Sequence, residues 1–358
     1  MTVAPRRKPM ATMIVGLHDG KETVRLAEIE RPVPGRGDAL IRVRASGICG
    51  SDLLMNADKT EPDTRPSGHE VAGEIVEVGA GVDSARIGER VAVDVLGHGK
   101  GCTRCYYCRM GQFRQCRDKA HQEGGGLGGF AQYMVRRAAG CYPMPDGLSW
   151  EEGALVEPLA VSVHALRRGQ MRGGETVAVL GAGNIGLTAV AAARAFGAGK
   201  VFVTARHAQQ ADMAKRLGAD DALPPEGAAL ADALARVTDG LGADLTIETV
   251  GGKSEATVVQ AIDVTRMQGR IVVLGGFRAP LTVDWLPPLL KEQSIIFASC
   301  YSVLDGRHDY ELAIDLLASG KAPLKHMVTH RFPLEDVQLA FETAYDKSVG
   351  SIKVQFHM

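Results

Sequence analysis

Apolar residues change their spacing twice along the chain. Up to about Ala160 they fall in short runs bounded by turn residues. Ala39–Ala45, Val71–Val78 and Arg90–Val95 are β-rich runs, and Gly79, Gly81, Gly88 and Gly97 punctuate them. The first strand begins near Thr12. This pattern predicts a compact all-β, barrel-like unit. Beyond Pro158 the runs alternate in type. Thr176–Leu180 is a continuous apolar strand, and an Ala-rich helix follows through Phe196. Lys200–Thr204 is the next strand and Ala208–Leu217 the next helix. Asp244–Val250 and Arg270–Leu274 repeat the theme, and Ser294–Ser299 offers a further strand. Strands alternating with helices of about 10–15 residues predict βαβ units and a parallel sheet. In the tail, His308–Ala318 and Leu334–Tyr345 read as helices and Ser351–Phe356 as a closing strand. The α/β unit therefore reads as an insertion at 161–298 between two segments, 1–160 and 299–358, that build the other domain. Two such domains leave a cleft, the usual place for a small substrate.

Composition narrows the choices. The 358 residues suit two domains of roughly 150–200 residues each. With 45% hydrophobic and 23% charged residues, the chain buries real cores, and disorder is excluded. A net charge of −1 leaves no basic field for nucleic acid or an anionic membrane. Arg6, Arg7 and Lys8 are followed by no apolar stretch of the secretory kind. The longest uncharged run, Thr176–Ala193, contains Gly181, Gly183, Asn184 and Gly186. A membrane span needs about 20 apolar residues, so strand-turn-helix is the better reading. The expectation is a soluble, cytoplasmic protein.

Val179-Leu180-Gly181-Ala182-Gly183-Asn184-Ile185-Gly186 is a strand, a G-x-G-x-x-G turn and a helix start. Gly181 permits the tight turn, Gly183 lets backbone approach a pyrophosphate, and Gly186 lets helix pack on strand. The helix then faces the phosphates with unpaired N–H groups, Asn184 and Ile185 among the first. Further βα units downstream supply the expected context, and the strand ends at Val250 and Leu274 complete the candidate dinucleotide site. The following strand ends in Ala205-Arg206-His207, with no carboxylate to hold a ribose 2′-OH. A small residue followed by a guanidinium suits a 2′-phosphate, because Arg pairs with it bidentately. The cofactor expected is NADP(H) rather than NAD(H).

Cys102-x2-Cys105-x2-Cys108-x7-Cys116 places four of the seven cysteines in a short lobe spanning about 98–120. Structural zinc takes four tetrahedral protein ligands, often all cysteines, and leaves no position open for water. A structural zinc is expected, with an iron–sulfur cluster as the chemical alternative. Elsewhere Gly47-Ile48-Cys49-Gly50-Ser51-Asp52, Gly68-His69-Glu70 and Val156-Glu157-Pro158-Leu159-Ala160 carry a Cys, a His and carboxylates. These are suitable zinc ligands, but spacing alone does not join them.

The combination of these stretches with the cysteine lobe, the glycine turn and His330-Arg331-Phe332-Pro333-Leu334 resembles the zinc-containing medium-chain dehydrogenase/reductase family, most closely its sorbitol (polyol) and threonine dehydrogenase branch. The resemblance spans about Ile41 to Lys353. It implies a GroES-like β-barrel catalytic domain with an inserted Rossmann domain, a doubly wound parallel sheet. It implies that Cys49, His69 and Glu157 surround a catalytic zinc, with Glu70 beside it and able to ligate in some states. Two zinc ions per chain follow, one catalytic and one structural. The chemistry implied is hydride transfer between a secondary alcohol and the nicotinamide, with zinc acting on the substrate oxygen. Ser51 resembles the hydroxyl that takes the substrate proton. Asp52 is expected to hold the far nitrogen of His69, and Lys353 is a candidate partner for Glu70. A homodimer or homotetramer is the assembly the family suggests. The alternatives are a threonine-type amino-alcohol dehydrogenase using NAD, a non-catalytic NADPH-binding protein, and a zinc-free reductase on the same fold.

Two positions depart from the family pattern. Leu54 stands where many relatives have a proton-relay histidine. Ala298-Ser299-Cys300 stands where polyol dehydrogenases carry an arginine–tyrosine–cysteine run, so no cation is supplied there. Cys141 and His164 read as buried structural residues, His98 and His121 as solvated loop histidines, and Trp285 as a domain-edge residue that could meet another subunit.

Overall fold

The computed structural model describes residues 11–118 and 128–358. His121 and the last residues of the cysteine lobe lie outside that range. Two main sheets organise the chain. A seven-stranded sheet runs in the order Val328–Pro333, Lys353–His357, Asp38–Gly47, Glu70–Val78, Arg90–Asp94 and Cys141–Pro143, with Tyr133–Arg137 also pairing Asp38–Gly47. Residues from the last fifth of the chain thus complete a sheet begun near its start. An N-terminal hairpin, Thr12–Gly20 with Thr23–Glu30, lies alongside. Inward-facing Ile41, Val43, Val71, Ile75, Val91, Val93 and Met134 form one continuous core.

The second sheet has six parallel strands, in the order Asp221–Leu223, Lys200–Thr204, Thr176–Leu180, Ala243–Glu248, Thr265–Val273, Ser294–Phe297. Numbered along the chain, that order is 3-2-1-4-5-6, a doubly wound Rossmann sheet. Strand order reverses between Thr176–Leu180 and Ala243–Glu248, which pair in parallel, and this is the switch point where such sheets bind ligands. Alternate side chains of the central strands serve opposite faces. Val177, Val179, Leu245 and Ile247 join one core, and Ala178 and Leu180 the other. Burial on both faces explains why these strands read as unbroken apolar runs.

The helix Val156–Arg168 ties the sheets together. The largest core passes from Ala45, Ala72 and Ala92 through Val156, Leu159 and Val163 to Val177 and Leu187. This helix runs without a break through residue 160, where the sequence reading divides the domains.

Several element ends differ from the sequence reading. The strand expected over Asp244–Val250 stops at Glu248, because Thr249 turns back and donates from Oγ1 to Leu180 O at 2.7 Å. Leu334–Asp336 is a 3₁₀ turn before the helix Val337–Tyr345. Gly50–Ala57 forms a helix that the sequence pattern does not predict, because it carries no simple apolar stripe. His98 is not a solvated loop residue. It stacks on Phe113, ring centroids 3.9 Å apart, and its Nδ1 meets Tyr142 Oη at 3.1 Å. Cys141 is buried, which pushes its thiol up to about 12. His164 is buried and its Nδ1 bonds Asp309 Oδ2 at 2.8 Å.

Candidate active site

Cys49 stands at the N-terminus of the helix Gly50–Ala57, where the chain leaves the strand Asp38–Gly47. Its backbone N–H donates to Asp52 Oδ2 at 2.9 Å, which fixes the first turn. His69 and Glu70 enter from the neighbouring antiparallel strand. The register pairs Gly47 with Glu70, so the Cys49 and His69–Glu70 segments meet at one end of the sheet. Potential ligand atoms of Cys49, His69 and Glu70 all lie within 4.8 Å of one another. One thiol, one imidazole and one carboxylate so gathered are a suitable donor set for zinc.

Electrostatics around the set are strongly coupled. Burial works against the charged ring of His69, but Asp52 and then Cys49 outweigh it and hold the ring well above its ordinary range. Asp52 Oδ1 stands 3.8 Å from His69 Nδ1, within ion-pair reach but too far for a hydrogen bond. Glu70 is fully buried, and Lys353 Nζ donates to its two carboxylate oxygens at 2.7 and 2.6 Å. Lys353, itself fully buried, also donates to Ile48 O at 3.1 Å. With the Asn184 amide turned to satisfy both its atoms, its oxygen accepts from Lys353 Nζ at 2.9 Å. One ammonium therefore joins Glu70 to the glycine turn. Glu157, buried on the helix Val156–Arg168, lies outside the three-residue set. Burial pushes its carboxyl up to about 8, with Glu70 adding to the rise and His69 opposing it.

The glycine turn forms the opposite wall. Gly181 has φ +94°, a left-handed conformation that favours glycine, and its N–H donates to Thr204 Oγ1 at 2.8 Å. A Cβ on Gly186 would sit 1.8 Å from Gly181 O, so only glycine lets the helix approach the strand. A Cβ on Gly183 would meet nothing within 4 Å, and Gly183 begins the helix Asn184–Ala195 with no side-chain cap. That open, amide-rich face fits a pyrophosphate. A cleft of 750 Å³ lies between the two walls, lined by Cys49, Ser51, Gly183, Asn184, Ile185, Arg206, Val250 and Leu274 among others. Ala205 and His207 flank Arg206 but do not line it, and Gly181 and Gly186 shape the turn from beneath. Leu54, 53% exposed, stands on the cleft wall.

The sequence reading missed Thr249, Arg278 and Lys347, which also line the cleft. Arg278 also pairs with Asp58, joining the two domains. No local pattern marks these residues, since each reaches the site from a loop distant in sequence.

The cysteine lobe folds around its own centre. Cys102 and Cys108 Sγ are 4.0 Å apart, and Cys105 and Cys116 Sγ are 3.9 Å apart. Thiolates bound about 2.3 Å from a tetrahedral ion stand about 3.8 Å apart, so the set fits zinc. Backbone N–H groups of Cys105 and Cys102 point at Cys102 Sγ and Cys116 Sγ, at 3.3 and 3.4 Å, as charged sulfur would require. The lobe leans on the segment after the parallel sheet through Val303 N–H donating to Gly111 O at 3.0 Å.

Comparison with known proteins agrees with this architecture. Residues 35–146 match the alcohol dehydrogenase GroES-like domain, and residues 184–319 the zinc-binding dehydrogenase domain. Sorbitol dehydrogenase of Bacillus subtilis is 33% identical over 352 residues, covering 95% of this chain and 96% of its own. Galactitol-1-phosphate dehydrogenase from Escherichia coli superposes with a TM-score of 0.85 at 27% identity, over 97% of this chain and 100% of that one. A putative zinc-binding dehydrogenase from Sinorhizobium meliloti, bound to NADP, gives 0.83 at 27% identity, over 98% and 100%. The chain belongs to the zinc-containing medium-chain dehydrogenase/reductase family, in its sorbitol dehydrogenase-like branch, and is a zinc-dependent alcohol dehydrogenase that works with a nicotinamide cofactor.

Proposed function

We propose that this enzyme interconverts a secondary alcohol of the polyol class and its ketone, with NADP(H) as cofactor and two zinc ions per chain. The carrying observation is one cleft lined both by Cys49, a member of the Cys49–His69–Glu70 donor set, and by the glycine turn with Arg206. When bound, zinc supplies Lewis-acid polarisation of the substrate oxygen and NADP+ accepts the hydride. Cys49, His69 and a carboxylate from Glu70 or Glu157 hold the catalytic ion, and Cys102, Cys105, Cys108 and Cys116 the structural one. Ser51, on the cleft wall beside Cys49, takes the proton from the substrate hydroxyl. Because Leu54 is apolar, that proton leaves by the cofactor side of the cleft rather than through a side chain at position 54. Lys353 neutralises Glu70, so the donor set does not carry two uncompensated carboxylates.

Arg206 is exposed, and the strand end at Ala205 carries no carboxylate, which supports the 2′-phosphate of NADP(H). We also propose a homodimer or homotetramer. Trp285, Leu286, Leu289 and Leu290 are all more than half exposed, beside Phe297 on the edge strand of the parallel sheet. Seven cysteines, none of them in a disulfide, suit a reducing compartment such as the cytoplasm.

The test is a metal count combined with cofactor kinetics. Two zinc ions per chain and a higher kcat/KM with NADP+ than with NAD+ across sugar alcohols are expected. Cys49→Ser should abolish turnover and leave one ion, at the lobe. One ion in the wild-type chain, or a strong NAD+ preference, refutes the corresponding part.

A further inference from the structure

His18 has no role in the chemistry above, yet it stands behind the donor set. It lies on the N-terminal strand Thr12–Gly20, buried, with its ring edge-on to Phe341 at 5.2 Å between centroids. Its Nε2 meets Ser67 Oγ at 2.6 Å, and its backbone carbonyl accepts from Asp63 N–H at 2.7 Å. The strand therefore grips both ends of the loop 63–67, and Ser67 is two residues before His69. Backbone bonds clamp the same loop from its other side. Gly128 N–H donates to Pro66 O at 2.8 Å, Phe130 N–H to Ser67 O at 3.0 Å and Gly129 N–H to Gly68 O at 2.9 Å. Those bonds set the path of the backbone. His18 alone, among the described residues, bonds the Ser67 side chain.

The ring also faces the helix Gly50–Ala57, which begins at Cys49. Burial lowers the affinity of the ring for a proton and outweighs the pull of Asp52 and Asn56 on that helix, so the ring is neutral. A neutral imidazole carries one N–H and one bare nitrogen. His18 Nδ1 and both amide atoms of Asn56 are buried without a hydrogen-bond partner among the described residues. The amide offers one donor and one acceptor, so it complements Nδ1 in whichever tautomer the Ser67 bond selects. Unpaired buried polar atoms are costly, which favours pairing of these two groups. Asp52, one turn before Asn56, receives the Cys49 N–H and faces His69. One buried imidazole thus lies between the loop that delivers His69 and the helix that delivers Cys49.

We infer that His18 is a positioning residue for the catalytic zinc: it ties the His69 loop through Ser67 to the Cys49 helix through Asn56, so that the two ligands keep one spacing. Ligands on separate elements hold a metal geometry only where the groups behind them fix both. The inference rests on the zinc reading of the Cys49–His69–Glu70 set. It gives the N-terminal hairpin, which supplies no ligand of its own, a part in metal affinity.

The test titrates the metal-free full chain with zinc against a competing chelator, and Cys49→Ser, which keeps the lobe site alone, shows which ion is which. Loss of an anchor behind a metal ligand predicts that His18→Phe weakens the catalytic ion by about tenfold to hundredfold and leaves the lobe ion within about twofold. Ser67→Ala removes the same hydrogen bond with little change of packing and should weaken that ion by about threefold to tenfold. His18→Gln, which can still reach Ser67, should recover most of the loss. Asn56→Leu should weaken the same ion and add little to His18→Phe. With cobalt(II) in place of zinc, the visible absorption of the one-thiolate site should shift in His18→Phe while that of the four-thiolate site stays. A lower thermal midpoint of the metal-free variants with wild-type affinity at both sites would make His18 a packing residue and overturn the inference. Wild-type affinity in Ser67→Ala would do the same even where His18→Phe does not fold. A wild-type chain that holds one ion, at the lobe, overturns the zinc reading itself, and this inference with it.

Discussion

The Lys353–Glu70 pair offers the sharpest energetic prediction. Both side chains have zero exposure, and the ammonium meets the two carboxylate oxygens at 2.6 and 2.7 Å. Removing one partner of a buried pair leaves an uncompensated charge and costs about 3–5 kcal/mol. In Lys353→Met, Glu70 keeps its burial, loses its strongest donor and faces the neighbouring Glu157 without relief. Unfolding entropy of about 2.1 cal/mol/K per residue gives roughly 0.75 kcal/mol/K for a chain of this length. The midpoint of metal-free Lys353→Met should therefore fall by about 4–7 °C. The double variant Lys353→Met/Glu70→Gln removes the stranded charge and should recover at least half of the loss. Thermal and urea unfolding of the wild type, both single variants and the double variant complete the cycle. Additive losses would refute the coupling, and so would a Lys353→Met protein within about 1 kcal/mol of wild type. Zinc should restore part of the lost stability, because a cation beside Glu70 replaces some of the missing compensation.

Three further outcomes follow from the geometry. Gly186→Ala should cost about 1–3 kcal/mol through overpacking and weaken both NADPH and NADH more than tenfold by titration, since the new methyl displaces Gly181 O; normal cofactor binding would refute the packing argument. Cys105→Ser should lower the metal content by one ion and destabilise the lobe without removing the other ion, as read by metal analysis and limited proteolysis. His308 gives a pH prediction: burial depresses its ring to about 3, and its Nδ1 accepts from Tyr310 N–H, so the folded ring stays neutral. Between pH 6.5 and 3 the unfolded chain takes up a proton that the folded chain refuses, so stability falls as pH falls, by about 2–3 kcal/mol at pH 4.5. His308→Gln should flatten that acid limb relative to wild type in urea midpoints, and an unchanged limb would refute the assignment.

Much of the site was legible in the sequence where its determinants are local. The glycine turn depends on a strand, three glycines and a helix within one short stretch. The cysteine lobe depends on backbone turns that present nearby sulfurs to one centre. In both, chain connectivity alone limits where the side chains can go. The inserted parallel sheet was legible for a similar reason, since strands buried on both faces must be apolar throughout. The alternation that betrays a one-sided strand is absent there, and the element ends were accordingly the least secure.

Other features needed the folded chain. Family resemblance suggested Lys353 for Glu70, but only the pairing of the last strand with Asp38–Gly47 brings the ammonium to both carboxylate oxygens and to Asn184. The sequence could not show that Glu70 joins the Cys49–His69 set while Glu157 stands outside it. Nor could it show that His98 is stacked and half-buried. Arg278 and Lys347 carry no motif, because an isolated cation on a loop looks like any solvated residue until a cleft forms around it. Residue type and short-range spacing determined which chemistry this chain can hold. Tertiary structure decided which carboxylate meets which cation and which positive charges line the cofactor cleft, because those relations join segments whose separation along the chain places no limit on their distance in space.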